Sequence, residues 1–120
     1  MRSQKKQILA ANMSLTDAQA EKFWPVYDQY AAELSKVGDK KAALIKEYVG
    51  NYENISDDEA ESYLKRRIDI EESTLEVKKK YVPLFRKVLS PRETALFFQI
   101  DWWIDLLVNV QLAQLPLVQP

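Results

Sequence analysis

The side chains that could do chemistry in this 120-residue chain are carboxylates, hydroxyls and aromatic rings, because the sequence contains neither histidine nor cysteine. Without those two residue types, no Ser-His or Cys-His nucleophile pair and no zinc site of nitrogen and sulfur ligands can be formed. The carboxylates Glu71, Glu72, Asp101 and Asp105 could meet a cation, but charges on a helix face normally meet solvent. Two glycines are also too few for a glycine-rich phosphate loop. The composition predicts a protein that is not an enzyme and needs no cofactor or metal.

The charge balance argues against a nucleic-acid partner. Seventeen basic and 18 acidic residues give a net charge of −1, whereas nucleic-acid binding requires a basic excess on one face. The first residues lack the apolar stretch of a signal peptide, so if the protein is exported this chain is its mature part. With 47% hydrophobic residues, residues 1–120 are expected to fold as a single domain.

Three segments have the residue spacing of a helix N-cap. A hydroxyl residue is followed three positions later by Gln or Glu at Thr16/Gln19, Ser56/Glu59 and Ser90/Glu93. In such a capping box, the hydroxyl accepts a backbone N–H of the first turn and the Gln or Glu accepts the N–H of the cap. An aliphatic residue precedes each box, as in a hydrophobic staple. The boxes predict where three helices begin, and we expect their role to be structural.

Apolar residues spaced by three and four indicate an all-α fold of four helices. A short helix is predicted over residues 3–12, and long helices over 17–52, 57–88 and 94–115. The short connection between the first two long helices predicts an antiparallel hairpin. Its prolines, Pro25 and Pro83, are expected to kink both arms. With the turn centred near residue 54, both kinks would lie at one level and give a concave, cradle-like hairpin.

The distribution of apolar residues predicts more than one packing partner for the later helices. The second long helix has two apolar stripes, one of which contains Leu64, Ile68, Leu75, Val82 and Leu89. The third is apolar on nearly every side except for a polar line that includes Asp101 and Asp105. These carboxylates argue against a membrane span. We therefore expect the third long helix to be nearly buried, either across the hairpin or in a homodimer.

Aromatic residues on the first long helix are candidates for contact with polypeptide. Trp24, Tyr27, Tyr30 and Tyr48 are rigid and amphipathic, which suits transient contact with apolar segments. The alternative is that they fill the core and a dimer interface.

Residues 15–19, Leu-Thr-Asp-Ala-Gln, match the LTxxQ motif of the Spy/CpxP family of bacterial periplasmic proteins. Residues 89–93, Leu-Ser-Pro-Arg-Glu, resemble its second copy, with Ser for Thr and Glu for Gln. The motif positions are Leu15, Thr16, Gln19, Leu89, Ser90 and Glu93. The resemblance extends over about residues 4–118 and is strongest to an uncharacterised Proteobacterial branch of exported proteins.

This resemblance implies an all-α, cradle-shaped homodimer in the periplasm. Some members of the family are ATP-independent chaperones, others repress an envelope-stress sensor, and related ones bind heavy metals through histidines, which this chain lacks. The expected function is therefore that of a holding chaperone or envelope-stress protein that binds unfolded or partner polypeptide. The alternative is a regulatory or structural dimer that binds the extracytoplasmic part of one partner.

Overall fold

The computed structural model describes residues 2–118 and is all-helical over that range. The elements are α1 (Arg2–Met13), α2 (Asp17–Asn51), a 3₁₀ turn (Tyr52–Asn54), α3 (Asp57–Arg86) and α4 (Pro91–Leu112). All four predicted helices are present. Helix α4 begins at Pro91, directly after its predicted cap Ser90, because a missing N–H is tolerated in the first turn of a helix. It also ends earlier, ahead of Pro116, whose ring disfavours helical backbone in the preceding residue.

Helices α2 and α3 form the predicted antiparallel hairpin, and the molecule measures 55 × 23 × 20 Å. Ion pairs join the two arms along their length. The Arg66 Nη1 atom lies 2.8 Å from the Glu47 carboxylate near the tip, and the Lys80 Nζ atom lies 2.9 Å from the Glu33 carboxylate further down. These exposed pairs contribute little stability, about 0–1 kcal/mol each, but they report the register of the arms.

The register of the arms places the two helix prolines close to the same level. Both Pro25 and Pro83 lie inside helices, as predicted. The ring of Phe23 contacts that of Phe85, and the ring of Tyr30 contacts that of Tyr81. Because these two pairs bracket both prolines, Pro25 and Pro83 lie within about one helical turn of each other along the hairpin.

The core lies at the open end of the hairpin, where α1 and α4 close over the two arms. It is built mainly from aromatic rings, with ring centroids 4.3 Å apart for Phe85 and Phe97 and 5.7 Å apart for Phe23 and Phe97. Its buried members are Leu9, Met13, Phe23, Tyr27, Tyr30, Tyr81, Phe85, Leu89, Phe97 and Phe98. Each helix contributes at least one of these side chains, so the open end is the best-packed part of the protein.

Helix α4 is buried only in its first half. Thr94, Phe97, Phe98 and Asp101 are buried, whereas most side chains after Asp101 are exposed. The expectation of a nearly buried helix is therefore wrong for the single chain. Helix α1 has only 12 residues and packs at the open end, so no described helix covers the outer side of the second half of α4.

Candidate polypeptide-binding surface

The two LTxxQ-like segments lie together at the open end of the hairpin. Thr16 and Ser90 cap α2 and α4, and each forms a complete capping box with the Gln or Glu three residues later. The third box, at Ser56 and Glu59, begins α3. All three predicted N-caps are confirmed, and both motif segments supply the first turn of a helix.

A direct side-chain contact joins the two segments. The amide nitrogen of Gln19 donates to both carboxylate oxygens of Glu93, at 3.1 and 3.0 Å. The hydrogen bond from the Ser90 backbone N–H is the main cause that lowers the pKa of Glu93, and Gln19 adds to it. Leu89 is buried beside this contact and Leu15 is half-buried. The motif residues thus fix α2 and α4 to each other.

Deeper in the protein, a carboxylate links all four helices. Asp101 on α4 is 2% exposed and accepts a 2.7 Å hydrogen bond from the Tyr30 hydroxyl of α2. The Nζ atoms of Lys5 on α1 and Lys78 on α3 lie 3.4 and 3.3 Å from it. Lys78 also contacts Asp105 at 2.6 Å. We call these five residues the Asp101 cluster.

The environment of the Asp101 cluster shifts the pKa of Tyr30 and of Lys78. Burial raises the pKa of the Tyr30 phenol, and the neighbouring Asp101 carboxylate raises it further. Burial alone would lower the pKa of Lys78, but Asp105 and Asp101 together outweigh that influence and leave the pKa raised. At neutral pH, Tyr30 is therefore neutral and Lys78 is charged, and the cluster acts as a structural joint between helices.

We expect the buried phenols to limit stability at alkaline pH. Burial and the Glu33 carboxylate raise the pKa of Tyr81 from its ordinary 10.0 to about 12. A proton held more tightly in the folded state contributes stability that is complete below about pH 10 and is lost as the pH rises through about 12. An ultraviolet titration of the folded protein should show phenols that ionise late, and Tyr81→Phe should remove one of them. Ionisation of every tyrosine near pH 10 before unfolding would contradict this expectation.

The structure places the four aromatic candidates of the first helix in the interior or at its edge. Tyr27 and Tyr30 are 1% and 0% exposed, so the hypothesis that they face polypeptide directly was wrong. They are core residues because α1 and α4 cover the side of α2 that would otherwise face solvent. Trp24 is half-buried against Phe23, at 4.8 Å between ring centroids. Tyr48 is buried near the hairpin tip, beside Tyr63.

The exposed apolar residues lie instead on the second half of α4. Two tryptophans there are each more than half exposed, Trp102 at 60% and Trp103 at 56%. Together with Leu106, Leu107 and Val110 they form a surface that we call the α4 patch. A contiguous apolar surface of this kind is unusual for a monomer and marks an interaction site.

One apolar stripe of α3 is exposed beside α4. It consists of Leu64, Ile68, Leu75 and Val82, which we call the α3 stripe. Leu75 and Val82 lie three residues before and four after Lys78, and therefore on the same helix face as that lysine. Because Lys78 contacts Asp101 and Asp105, the α3 stripe runs next to α4. The α4 patch lies on the side of α4 turned away from Asp101 and Asp105, so it and the α3 stripe are two separate exposed apolar surfaces.

Sequence reasoning missed the role of the α4 patch and of Asp101. The sequence predicts that the helix carrying Trp102 and Trp103 is nearly buried, whereas the structure exposes both side chains. The signal for Asp101 was present, since a carboxylate inside the most apolar segment needs partners once it is buried. Those partners come from three other helices and share no local spacing with it.

Within residues 2–118, no group of side chains is arranged to hold a metal ion. Nor is any helix in that range both long and apolar enough to cross a membrane.

The chain matches no protein-family model, no curated protein and no solved structure.

Proposed function

We propose that the protein is an ATP-independent holding chaperone of the bacterial periplasm that binds apolar segments of unfolded proteins on the α4 patch. The observation that carries this proposal is the exposure of five large apolar side chains on one half of a helix. The resemblance to the LTxxQ proteins is the reason for the periplasmic location and for an envelope-stress role.

The size of the α4 patch suits reversible capture. Burying one large aliphatic or aromatic side chain contributes about 1.5–3 kcal/mol. Association costs about 4–15 kcal/mol in lost freedom. A patch of five such residues therefore supports weak binding, and a client that folds and buries its own apolar segments is released by mass action. No energy source is needed for this cycle.

The α3 stripe is better suited to self-association. Ile68, Leu75 and Val82 are seven residues apart, which is the spacing of a helix seam that packs against another helix. The same stripe on a second copy would give a two-fold interface, the commonest arrangement in homo-oligomers. A homodimer through the α3 stripe leaves the two α4 patches at its edges for clients.

We predict that Leu75→Glu converts the homodimer to a monomer. A charge in the centre of an apolar seam would be buried without a partner, which costs several kcal/mol. Sedimentation at micromolar concentration should give about twice the chain mass for the original protein and the single mass for the variant. Val49→Glu replaces an exposed valine of α2 and serves as the control. A monomeric original protein, or a dimeric Leu75→Glu variant, would contradict the predicted interface.

Light scattering of a refolding client tests the chaperone function. Several unrelated denatured proteins are diluted with and without a molar excess of this protein, in the absence of nucleotide. Suppressed scattering with most clients supports a general holding activity. Unchanged scattering with all of them, beside selective retention of one envelope protein in a pull-down, would favour the regulator of a single partner instead.

A further inference from the structure

The α3 stripe is symmetric about Leu75. Ile68 and Val82 lie seven residues before and after it, about 10 Å along the helix in each direction. All three side chains are exposed. An antiparallel second copy with a two-fold axis at Leu75 would bring the two Leu75 side chains together and place each Ile68 against the partner's Val82. A parallel copy would place each residue against its own counterpart, so the apolar residues alone allow both orientations.

The charged residues beside the α3 stripe distinguish the two orientations. Glu72 lies three residues before Leu75 and Lys79 lies four residues after it. At about 100° of rotation per residue, both fall on the same flank of the stripe. Both side chains are exposed, and none of the ion pairs within residues 2–118 involves either of them. Glu72 and Lys79 are therefore available to a second copy.

An antiparallel two-fold axis keeps residues of one flank together. Glu72 and the partner's Lys79 then differ by one position along the pair, about 1.5 Å, and the axis repeats the contact on the other side of Leu75. In a parallel pair the flanks exchange, so Glu72 would face the partner's Glu71 and Lys79 would face the partner's Lys78. Because charges that flank a helix seam set the orientation of the helices, this pattern favours the antiparallel pair.

We infer that two copies of the chain pair through the α3 stripe in antiparallel orientation, with Leu75 on the two-fold axis and Glu72 of each copy against the partner's Lys79. This inference rests on the homodimer proposed above and assigns its orientation and register. Helix α4 contacts Lys78, on the flank opposite Glu72 and Lys79. Since the axis keeps each flank on one side, both copies of α4 lie on the same side of the dimer.

Engineered cysteines test the register directly, because the chain has no cysteine of its own. Leu75→Cys should give a disulfide-linked dimer under mild oxidation. Ile68→Cys alone should stay unlinked, because its two copies lie about 21 Å apart along the pair and a disulfide needs Cα atoms within about 7 Å. A mixture of the Ile68→Cys and Val82→Cys proteins should give a linked dimer of the two. Linkage of Ile68→Cys with itself, or no linkage in the mixture, would overturn the register.

Charge reversal tests the ion pairs. Glu72→Lys places like charges at both contacts and should weaken the homodimer by about tenfold, whereas Lys79→Glu added to the same chain should restore it. Glu21→Lys makes the same charge change at an exposed position of α2 and serves as the control. Sedimentation equilibrium measures the dissociation constants. A double variant that dimerises as weakly as Glu72→Lys would overturn the pairing of Glu72 with the partner's Lys79.

Neither measurement uses a client, so the antiparallel homodimer and the chaperone function can fail separately. Linkage and restoration as expected, in a protein that suppresses no aggregation, would keep the antiparallel homodimer and remove the chaperone. A monomeric original protein that still suppresses aggregation would overturn the antiparallel homodimer and keep the chaperone.

Discussion

Asp101→Ala is expected to lower the free energy of unfolding by about 3–5 kcal/mol, the usual cost of removing one partner from a buried charge pair. The substitution leaves the buried Tyr30 hydroxyl without its acceptor and takes from Lys5 and Lys78 the carboxylate that they share. Marginal stabilities of about 5–15 kcal/mol are normal for small domains, so much of the total would be lost. Chemical denaturation followed by circular dichroism measures the change.

The matched control is an exposed ion pair. Asp28→Ala removes the partner of Lys6 on the surface and should cost only about 0–1 kcal/mol. Asp101→Asn keeps an acceptor for the Tyr30 hydroxyl but removes the charge that the lysines pair with. Its loss in free energy of unfolding should fall between those of Asp28→Ala and Asp101→Ala. If Asp101→Ala lowered the free energy of unfolding as little as Asp28→Ala, the Asp101 cluster would not be what holds the four helices together.

Replacing Trp103 and Leu107 together with glutamine is expected to weaken client capture by tenfold or more. Each side chain is about half exposed, so a client that buries it gains roughly half of the about 1.5–3 kcal/mol of full burial, and the two losses together reach about 1.5–3 kcal/mol. Glutamine removes apolar surface without adding charge, so electrostatic repulsion of the client is avoided. The weakening is measured as the increase in the protein concentration that is needed to halve the light scattering of the client.

The same double variant should fold as well as the original. Substitutions at exposed positions usually change the free energy of unfolding by less than about 0.5 kcal/mol. Val49→Gln, at an exposed position on α2, is the control for loss of a surface apolar side chain. Full activity of the double variant, or an equal loss in Val49→Gln, would show that clients bind elsewhere.

Helix positions were predictable from the sequence because their signals are local. A hydroxyl and a Gln or Glu three residues later satisfy the first turn within one segment, as at Thr16 and Gln19. The starts of α2, α3 and α4 could therefore be read directly, and the short connection at residues 52–56 implied the antiparallel hairpin.

Local signals did not predict which aromatic side chains are buried and which are exposed. Tyr27 and Tyr30 belong to the same apolar seam as other residues of α2, and spacing alone does not say which partner covers it. Their burial depends on α1 and α4, which pack at the open end of the hairpin. The exposure of Trp102 and Trp103 follows from the same arrangement, because α1 is too short to reach the second half of α4.

The burial of Asp101 could not be predicted from sequence patterns. A carboxylate in an apolar helix is either a solvated interruption or the centre of a buried network, and the sequence around it is the same in both cases. Its partners Lys5 and Tyr30 lie 96 and 71 positions away in the sequence, and Lys78 lies on another helix again. Only the tertiary fold brings these groups together.

An NMR titration of the isotopically labelled protein with a permanently unfolded client tests most directly whether the α4 patch binds polypeptide. We expect the amide and indole signals of residues 102–110 to shift or broaden first and most, while the signals of the capping residues near Thr16 and Ser90 remain unchanged. Changes confined to another surface, or no change at a client concentration that saturates aggregation suppression, would contradict it.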